Sequence, residues 1–287
     1  MDSKSILKKL DRIDDLPTLP VIAMEVNTML QDYNTSIQDL CRVIENDQAL
    51  VPRILKLVNS SFYGFKSKIA NIDRAIILLG FNTIRNAIIS VAVLDAFSMK
   101  KINVEGFDIK GFWAHSVAVA VISRYLSAIT RSCAPEDAFT AGLLHDIGKI
   151  VIAQYFPDIF KKILESIKIN SISFYEAEKK EIPINHARLG TYLAKKWKLP
   201  DSLSDTIRYH HAVKKNVTDS NLLMVVHTAD IITNECLDNT EPELDSSLIF
   251  PEATDAMSPY LNTLPEWLPE VKEEINSACE FFLDNEA

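Results

Sequence analysis

Apolar residues recur at helical spacing along most of the 287-residue chain, and this pattern constrains the fold more than any other feature. In residues 21–30, for example, Ile22, Val26 and Met29 lie on one helical stripe. Only 7 glycines and 12 prolines interrupt the chain, too few for the frequent turns of a many-stranded sheet. The sequence therefore predicts an all-α fold.

The starts of several helices carry local signals. Ser36 has an acid, Asp39, three residues later, Pro135 is followed by two acids, and Asp201 follows a proline. A softer stretch at 99–111 contains two glycines and is interpreted as the join between two helical layers. We predict a helical bundle over 1–110, a second helical domain over 111–238, and an acidic C-terminal segment with short helices packed on the outside over 239–287.

Two positions in the N-terminal bundle have a local interpretation. Asn59 and Ser60 are predicted to end a helix, because they begin a turn-like stretch. Gly80 separates two apolar runs and has two interpretations: it permits a close approach of helices, or it caps the end of a helix. Neither position is expected to take part in chemistry.

Charge and composition argue against several classes of partner. The net charge of −9 is concentrated in residues 231–287, which hold 14 acids and one lysine, Lys272. There is no basic stripe with interleaved aromatic residues, so no nucleic-acid partner is expected. The apolar stretches are interrupted short of a membrane span, so no membrane partner is expected either. Four widely spaced cysteines indicate reduced thiols and a cytoplasmic location.

Histidines are confined to one part of the chain, between residues 115 and 227. They are His115, His145, His186, His210, His211 and His227. Neutral imidazole is a common metal ligand, and the carboxylates of Asp146 and Asp230 add oxygen donors. A mixed His/Asp site suits one or two divalent ions of iron, manganese or zinc, and two such ions can activate water for attack on a phosphate ester.

Single residues at this site also have structural interpretations. His115 lies in an apolar run and would fit a core histidine that donates to a backbone carbonyl. Asp146 would fit a hydrogen-bond acceptor near a helix end, with Gly148 as the C-cap.

The later histidines have similar alternatives. His210 and His211 lie in a polar stretch and would fit the surface, while His227 and Asp230 would fit a solvent-side ion pair. The confinement of all six histidines to one half of the chain nevertheless favours a shared site.

The order His115, His145-Asp146 and Asp230 resembles the metal-binding signature of the HD phosphohydrolase superfamily, whose members are all-α. The addition of His186 and the pair His210–His211 is similar to the ligand set of its HD-GYP branch, which hydrolyses cyclic di-GMP. The stretch "HDIGK" (145–149) also matches that branch, in which the lysine faces the substrate phosphate. After "HH", however, this chain continues "AVKKNVTDSN", without the glycine-rich turn of that branch. The resemblance therefore does not extend to cyclic di-GMP specificity.

The N-terminal half resembles the HDOD family, the HD-related output domains of bacterial signal transduction. The similarity rests on "LPTLPVIAMEV", "VIENDQALVPRILKLVNSSFYG" and "NIDRAIILLGFNTIRN", and with the later motifs it spans roughly residues 15–230. This resemblance implies a signal-transduction protein that acts through a protein partner and retains a His/Asp metal site. The alternative is an active metal-dependent phosphohydrolase, namely a phosphodiesterase with a phosphoester ligand such as a cyclic nucleotide or dinucleotide.

We hypothesise a role for each site residue. Asp146 bridges two ions about 3.5–4 Å apart; His115, His145 and Asp230 complete one ion's shell, and His186, His210 and His211 serve the other. Lys149 either neutralises a substrate phosphate or is a cation that complements the dipole at a helix C-terminus. His227 is expected to be structural rather than a ligand.

Overall fold

The computed structural model describes residues 3–12, 16, 19–30, 32, 34–59, 67–97, 104–237 and 244–283. Within these ranges the chain forms helices and no strand, which confirms the all-α prediction. The helices are α1 (Ser3–Asp11), α2 (Val21–Met29), α3 (Ile37–Glu45), α4 (Leu50–Val58), α5 (Ile72–Ala96), α6 (Ile109–Thr130), α7 (Pro135–Leu144), α8 (Ile147–Tyr155), α9 (Pro157–Asn170), α10 (Phe174–Glu181), α11 (His186–Lys196), α12 (Asp201–Tyr209), α13 (Ser220–Cys236), α14 (Pro251–Leu261) and α15 (Leu264–Leu283).

Local sequence signals mark the helix ends where they were expected. The Ser36 side chain accepts a hydrogen bond from the Asp39 backbone N–H (3.1 Å) and caps α3. Helices α7 and α12 begin at Pro135 and Asp201. Asn59 ends α4 as predicted, whereas Ser60 lies outside the described residues.

Gly80 lies inside α5 and breaks its regular backbone. Its φ is +82°, and a Cβ built on it would meet no atom within 4 Å. The predicted close approach of helices at Gly80 is therefore wrong. Glycine is suited to this position because a positive φ is strained for residues with a side chain, and the break separates two helical halves of α5.

Helix α6 lies at the centre of the packing. It contacts α7, α13 and α15, and buried apolar side chains from Ile6 to Leu283 form one connected core. The C-terminal α15 is 20 residues long and packs on α6, so it is longer and more deeply packed than the short outer helices that were expected. Its apolar positions, including Trp267 and Val271, recur at helical spacing and are buried. The division of the chain at 110/111 and 238/239 stays a prediction.

Two core helices, α5 and α6, are long and apolar enough to cross a membrane by length and composition. The apolar stretches were expected to be too short to span a membrane. The structure differs because residues 72–96 form one long helix. Their most apolar windows are 56% and 61% buried inside the structure, and tertiary packing thus covers most of their apolar surface.

Polar contacts connect the N-terminal helices to the helices that follow. The buried Asn27 side chain of α2 donates a hydrogen bond to the Lys198 carbonyl, just after α11. The Asp137 carboxylate of α7 accepts hydrogen bonds from Arg85 (3.1 Å) and Asn86 (2.6 Å) of α5. The two parts of the chain therefore share polar as well as apolar contacts.

Candidate metal centre

The His145-Asp146 pair lies in the break between α7 and α8. Both side chains are buried, at 0% and 1% exposure. The His145 Nδ1–H donates to the Gly142 carbonyl (2.6 Å), so the neutral ring carries its proton on Nδ1 and directs Nε2 at the neighbouring carboxylates. The break between the two helices thus turns an imidazole and a carboxylate into the interior.

Four side chains from α6, the α7–α8 break and α13 form what we call the first donor group: His115, His145, Asp146 and Asp230. Asp230 Oδ1 lies 3.2 Å from His115 Nε2 and 3.6 Å from His145 Nε2. Asp146 Oδ2 lies 3.4 Å from His145 Nε2 and 3.8 Å from His115 Nε2. Two imidazole nitrogens and two carboxylates therefore face one small volume.

The second donor group consists of Asp146, His186, His210 and His211, whose ligand atoms all lie within 4.8 Å of one another. His186 Nε2 lies 3.0 Å from Asp146 Oδ1 and 3.2 Å and 3.1 Å from the Nε2 atoms of His210 and His211. Asp146 belongs to both groups and presents one carboxylate oxygen to each. The structure thus brings together all seven side chains that the sequence singled out as ligands.

The donor chemistry fits a divalent transition-metal ion. His115 Nε2, His145 Nε2 and Asp146 Oδ1 are buried and have no hydrogen-bond partner among the described residues, although such groups are normally satisfied. The Nε2 atoms of His210 and His211 lie 3.2 Å and 3.1 Å from the Nε2 atom of His186. At these distances, at least one nitrogen of each pair must lack a proton. Convergent nitrogen and carboxylate lone pairs are the donors that iron, manganese and zinc prefer.

Contacts behind the ligands set their orientation. His210 Nδ1–H donates to the Ile207 carbonyl (2.9 Å), and the Asn234 amide donates to Asp230 Oδ1 (2.9 Å). The wholly buried Glu178 contacts His186 Nδ1 through Oε1 (2.7 Å). Supporting contacts of this kind fix the tautomer and the ring orientation of metal-binding histidines. The sequence reasoning missed Glu178 and Asn234, although Asn234 follows Asp230 by one helical turn.

The remaining histidine, His227, forms hydrogen bonds with backbone atoms, in line with its expected structural role. Its Nδ1–H donates to the His210 carbonyl (2.7 Å), and its Nε2 accepts from the Phe250 N–H (3.2 Å). Both ring nitrogens are thereby used, so the solvent-side ion pair with Asp230 is wrong. The surface interpretation of His210 and His211 is also wrong, because His210 is 0% exposed and the ring of His211 stacks on Tyr175 with centroids 4.3 Å apart.

Two glycines let α8 and α11 approach closely enough to join the two donor groups. A Cβ on Gly148 would lie 1.9 Å from the His186 carbonyl oxygen, and a Cβ on Gly190 would lie 3.3 Å from the Gly148 nitrogen. Gly148 belongs to the first turn of α8. The prediction that it is a C-cap is therefore wrong, and its role is to allow close backbone contact.

Lys149 also lies in the first turn of α8, so its interpretation as a cation at a helix C-terminus is wrong. Its ammonium forms an ion pair with Asp146 and lies 5.1 Å from the centre of the Phe174 ring. The side chain is 21% exposed and reaches the wall of a cavity of about 690 Å³. The walls of this cavity come from Lys149, Ser173, Phe174, Tyr175, Glu176, Lys179, His211, His227, Asp230, Ile231, Asn234, Glu235, Leu248 and Phe250.

Burial and the carboxylates pull the histidine pKa values in opposite directions. Burial favours the neutral ring, yet the Asp146 and Asp230 carboxylates raise the pKa of His145 to about 10. Burial likewise opposes the charge on His186, but neighbouring carboxylates raise its pKa as well. At His210 burial outweighs the attraction of Asp146 and lowers the pKa to about 4.

The two carboxylates remain ionised despite their burial. Burial alone would raise the pKa of Asp146, but the positive charges of Lys149 and His145 hold it well below its ordinary value. The neighbouring His115 and His145 rings do the same for the pKa of Asp230. The centre therefore presents negatively charged oxygens to a cation at neutral pH.

Proteins similar to this chain are found among known sequences and among solved structures. A protein of Treponema pallidum (strain Nichols), of uncharacterised function, is 29% identical over 205 residues. These residues cover 70% of this chain and 38% of that protein, so the chain spans well under half the length of this relative.

Solved structures share the fold over nearly the whole chain. An HDOD domain protein of unknown function from Geobacter sulfurreducens is 26% identical with a TM-score of 0.76, and the match covers 96% of this chain and 97% of that one. A protein from Shewanella amazonensis SB2B, provisionally named a phosphohydrolase, is 25% identical with a TM-score of 0.75, covering 95% and 97%. The HDOD domain family itself matches residues 16–213. The chain therefore belongs to the HDOD family.

Proposed function

We propose that this chain is a signal-transduction protein in which a metal centre controls the arrangement of the N-terminal helices that a protein partner contacts. The observation that supports this proposal best is the hydrogen bond from Asn27 to the Lys198 carbonyl. Asn27 is 1% exposed and lies on α2, while Lys198 lies just beyond the end of α11. The first residue of α11 is His186, a member of the second donor group.

Helix α11 gives the metal centre a direct mechanical connection to α2. A helix of 11 residues moves largely as one body, so a change in the position of His186 at its start is carried towards Lys198, two residues beyond its end. The bond from Asn27 then passes that change to α2, whose outer face carries the 74% exposed Val21. This surface, together with the acidic C-terminal segment, offers contacts for a partner protein.

The side chains that would hold the ions are those of the two donor groups. A bound divalent ion supplies Lewis acidity and fixes its ligands in one arrangement. The residues of the chain contribute the rest: Asp146 links the two groups, and Lys149 balances the charge of Asp146. One or two ions of iron, manganese or zinc suit this donor set.

Hydrogen exchange of α2 tests the signalling proposal. Addition of Mn²⁺ to metal-free protein is expected to slow exchange of amides in Val21–Met29, and Asn27→Ala is expected to abolish this response while Mn²⁺ still binds. Thr28→Ala, an exposed neighbour on the same helix, is the matched control and should respond like the wild type. Unchanged exchange in α2 of a wild-type protein that demonstrably binds Mn²⁺ would contradict the proposal.

The cavity beside the donor groups supports a second candidate, a metal-dependent phosphohydrolase. Lys149 and Lys179 supply positive charge to its walls, and Asp230 and His211 connect it to the centre. The Lys149 ammonium can donate to a phosphate oxygen placed in this cavity and stabilise negative charge as it develops. The cavity is large enough for a small-molecule phosphoester.

A panel of phosphoesters tests the second candidate. It would include 4-nitrophenyl phosphate, its bis ester and cyclic nucleotides, each with Mn²⁺-loaded protein. Turnover should fall about 10²-fold in kcat for Lys149→Met and remain unchanged for Lys168→Met, an exposed residue of α9. A loaded protein that turns over none of these esters would leave signalling as the remaining function.

A further inference from the structure

We infer that Glu178 is a positioning residue for the second donor group, which holds the His186 ring in the one tautomer that can bind an ion. This inference rests on the proposed metal centre and adds a residue to it. Among the described residues, no other pairing in the centre engages both oxygens of one carboxylate with one histidine residue.

The contacts between Glu178 and His186 leave little freedom to the ring. Glu178 Oε1 lies 2.7 Å from His186 Nδ1, and Oε2 accepts from the His186 backbone N–H at 2.8 Å. Both residues are 0% exposed. Because a carboxylate oxygen has no proton to give, the Nδ1 atom must carry the proton. In the neutral ring the lone pair is then on Nε2, which lies 3.0 Å from Asp146 Oδ1.

The helix that carries Glu178 is itself well anchored against the second donor group. Ser173 and Glu176 form a reciprocal capping box at the start of α10. One turn before Glu178, Tyr175 stacks on His211 with ring centroids 4.3 Å apart. Helix α10 thus contacts two rings of the second group, while the ligands of the first group come from α6, α13 and the α7–α8 break. Glu178 therefore acts directly on the second group, through His186.

Glu178→Gln is a sharp test because it keeps the shape of the side chain and removes one acceptor. Glutamine has one carbonyl oxygen and one NH₂ group, while His186 offers two donors. If the glutamine oxygen accepts from the backbone N–H, its NH₂ group donates to Nδ1. The proton of the ring then moves to Nε2, and the lone pair needed for the ion is lost.

Two measurements compare the Glu178→Gln variant with the wild type. Calorimetric titration with Mn²⁺ is expected to show second-site affinity weakened about 10–100-fold, with first-site affinity unchanged. Nitrogen chemical shifts of His186 in metal-free protein, recorded at a pH high enough to leave the ring neutral, are expected to change from the Nδ1–H to the Nε2–H tautomer. Glu181→Gln, the same substitution on the same helix, is the control and should match the wild type in both measurements.

Glu178→Asp keeps both oxygens but shortens the reach of the side chain. We expect it to retain the wild-type tautomer with an intermediate affinity. It replaces the glutamine variant if that variant does not fold.

The outcomes separate this inference from the function on which it rests. A wild-type protein that binds no Mn²⁺ would overturn the metal centre as a whole. A wild-type protein that binds Mn²⁺, together with a Glu178→Gln variant of equal second-site affinity and unchanged tautomer, would overturn only the role of Glu178. Loss of affinity with a changed tautomer and a wild-type melting temperature would support it.

Discussion

Asp146 Oδ1 lies 3.0 Å from His186 Nε2, although 40 residues separate the two in the chain. The other oxygen of the same carboxylate lies 3.4 Å from His145 Nε2. One buried carboxylate therefore contacts both donor groups, an arrangement suited to a ligand shared by two ions.

Replacement of Asp146 should consequently remove both sites at once. We expect Asp146→Ala to lower Mn²⁺ affinity more than about 10²-fold at either group, since each loses its shared oxygen. Asp158→Ala, an exposed residue of α9, serves as the control. Calorimetric titration measures both, with circular dichroism to establish that the helices persist. Retention of metal by a folded Asp146→Ala protein would show that the ligand assignment is wrong.

Gly148→Ala should separate the two helices that carry the donor groups. The added Cβ would lie 1.9 Å from the His186 carbonyl oxygen, so α11 must shift away from α8. Overpacking of this kind costs about 1–3 kcal/mol, and the shift should weaken the second ion more than the first. Gly190→Ala, whose Cβ meets the Ile207 side chain at 2.8 Å, is expected to have a smaller effect on urea unfolding. A fully stable Gly148→Ala protein with wild-type affinity would refute the close-approach argument.

Metal binding should release protons at neutral pH. The raised pKa of His145, about 10, leaves its ring charged at pH 7 in metal-free protein, whereas a bound ion requires the neutral ring. Affinity should therefore rise with pH from 6 to 9 and stop rising above the pKa. His210, with a pKa near 4, is already neutral and contributes no proton. Titration in buffers of different ionisation enthalpy measures the release, and an apparent enthalpy that is independent of the buffer would contradict it.

Asp137 should stabilise the contact between α5 and α7. Its carboxylate accepts from Arg85 and from Asn86, the latter 1% exposed. Asp137→Ala leaves these donors without that acceptor, and we expect the free energy of unfolding to fall by about 1–3 kcal/mol. Asp137→Asn keeps one carbonyl oxygen and should lose less. Urea denaturation compares the two variants. Equal stabilities for Asp137→Ala and wild type would show that Asp137 does not stabilise the contact between α5 and α7.

Helix ends were predictable because their signals are local. Ser36 caps α3 with its own side chain, and Pro135 begins α7 because a first-turn residue needs no backbone donor. The apolar face of α15 was equally readable, since Trp267 and Val271 are four residues apart. Short helices were instead predicted over 239–287. Pro269 is nevertheless accommodated inside the helix.

The supporting residues of the centre could not be predicted in this way. The histidines attracted notice because they are rare and confined to one region, but Glu178 is one acid among 39 Asp and Glu residues. Its importance comes from the packing of α10 against the start of α11, which joins residues without any fixed sequence spacing. The role of Gly148 was predicted wrongly for the same reason, because the backbone that it approaches belongs to another helix.

Anomalous diffraction from crystals of protein purified without chelator would show whether ions bind at the Asp146 carboxylate. We expect one or two anomalous peaks beside this carboxylate, at about 2.0–2.2 Å from ligand nitrogens and oxygens. The nearest side chains should be His115, His145 and Asp230 at one peak, and His186, His210 and His211 at the other. Crystals of Mn²⁺-supplemented protein that show no peak there, with the same rings hydrogen-bonded only to water or to each other, would contradict it.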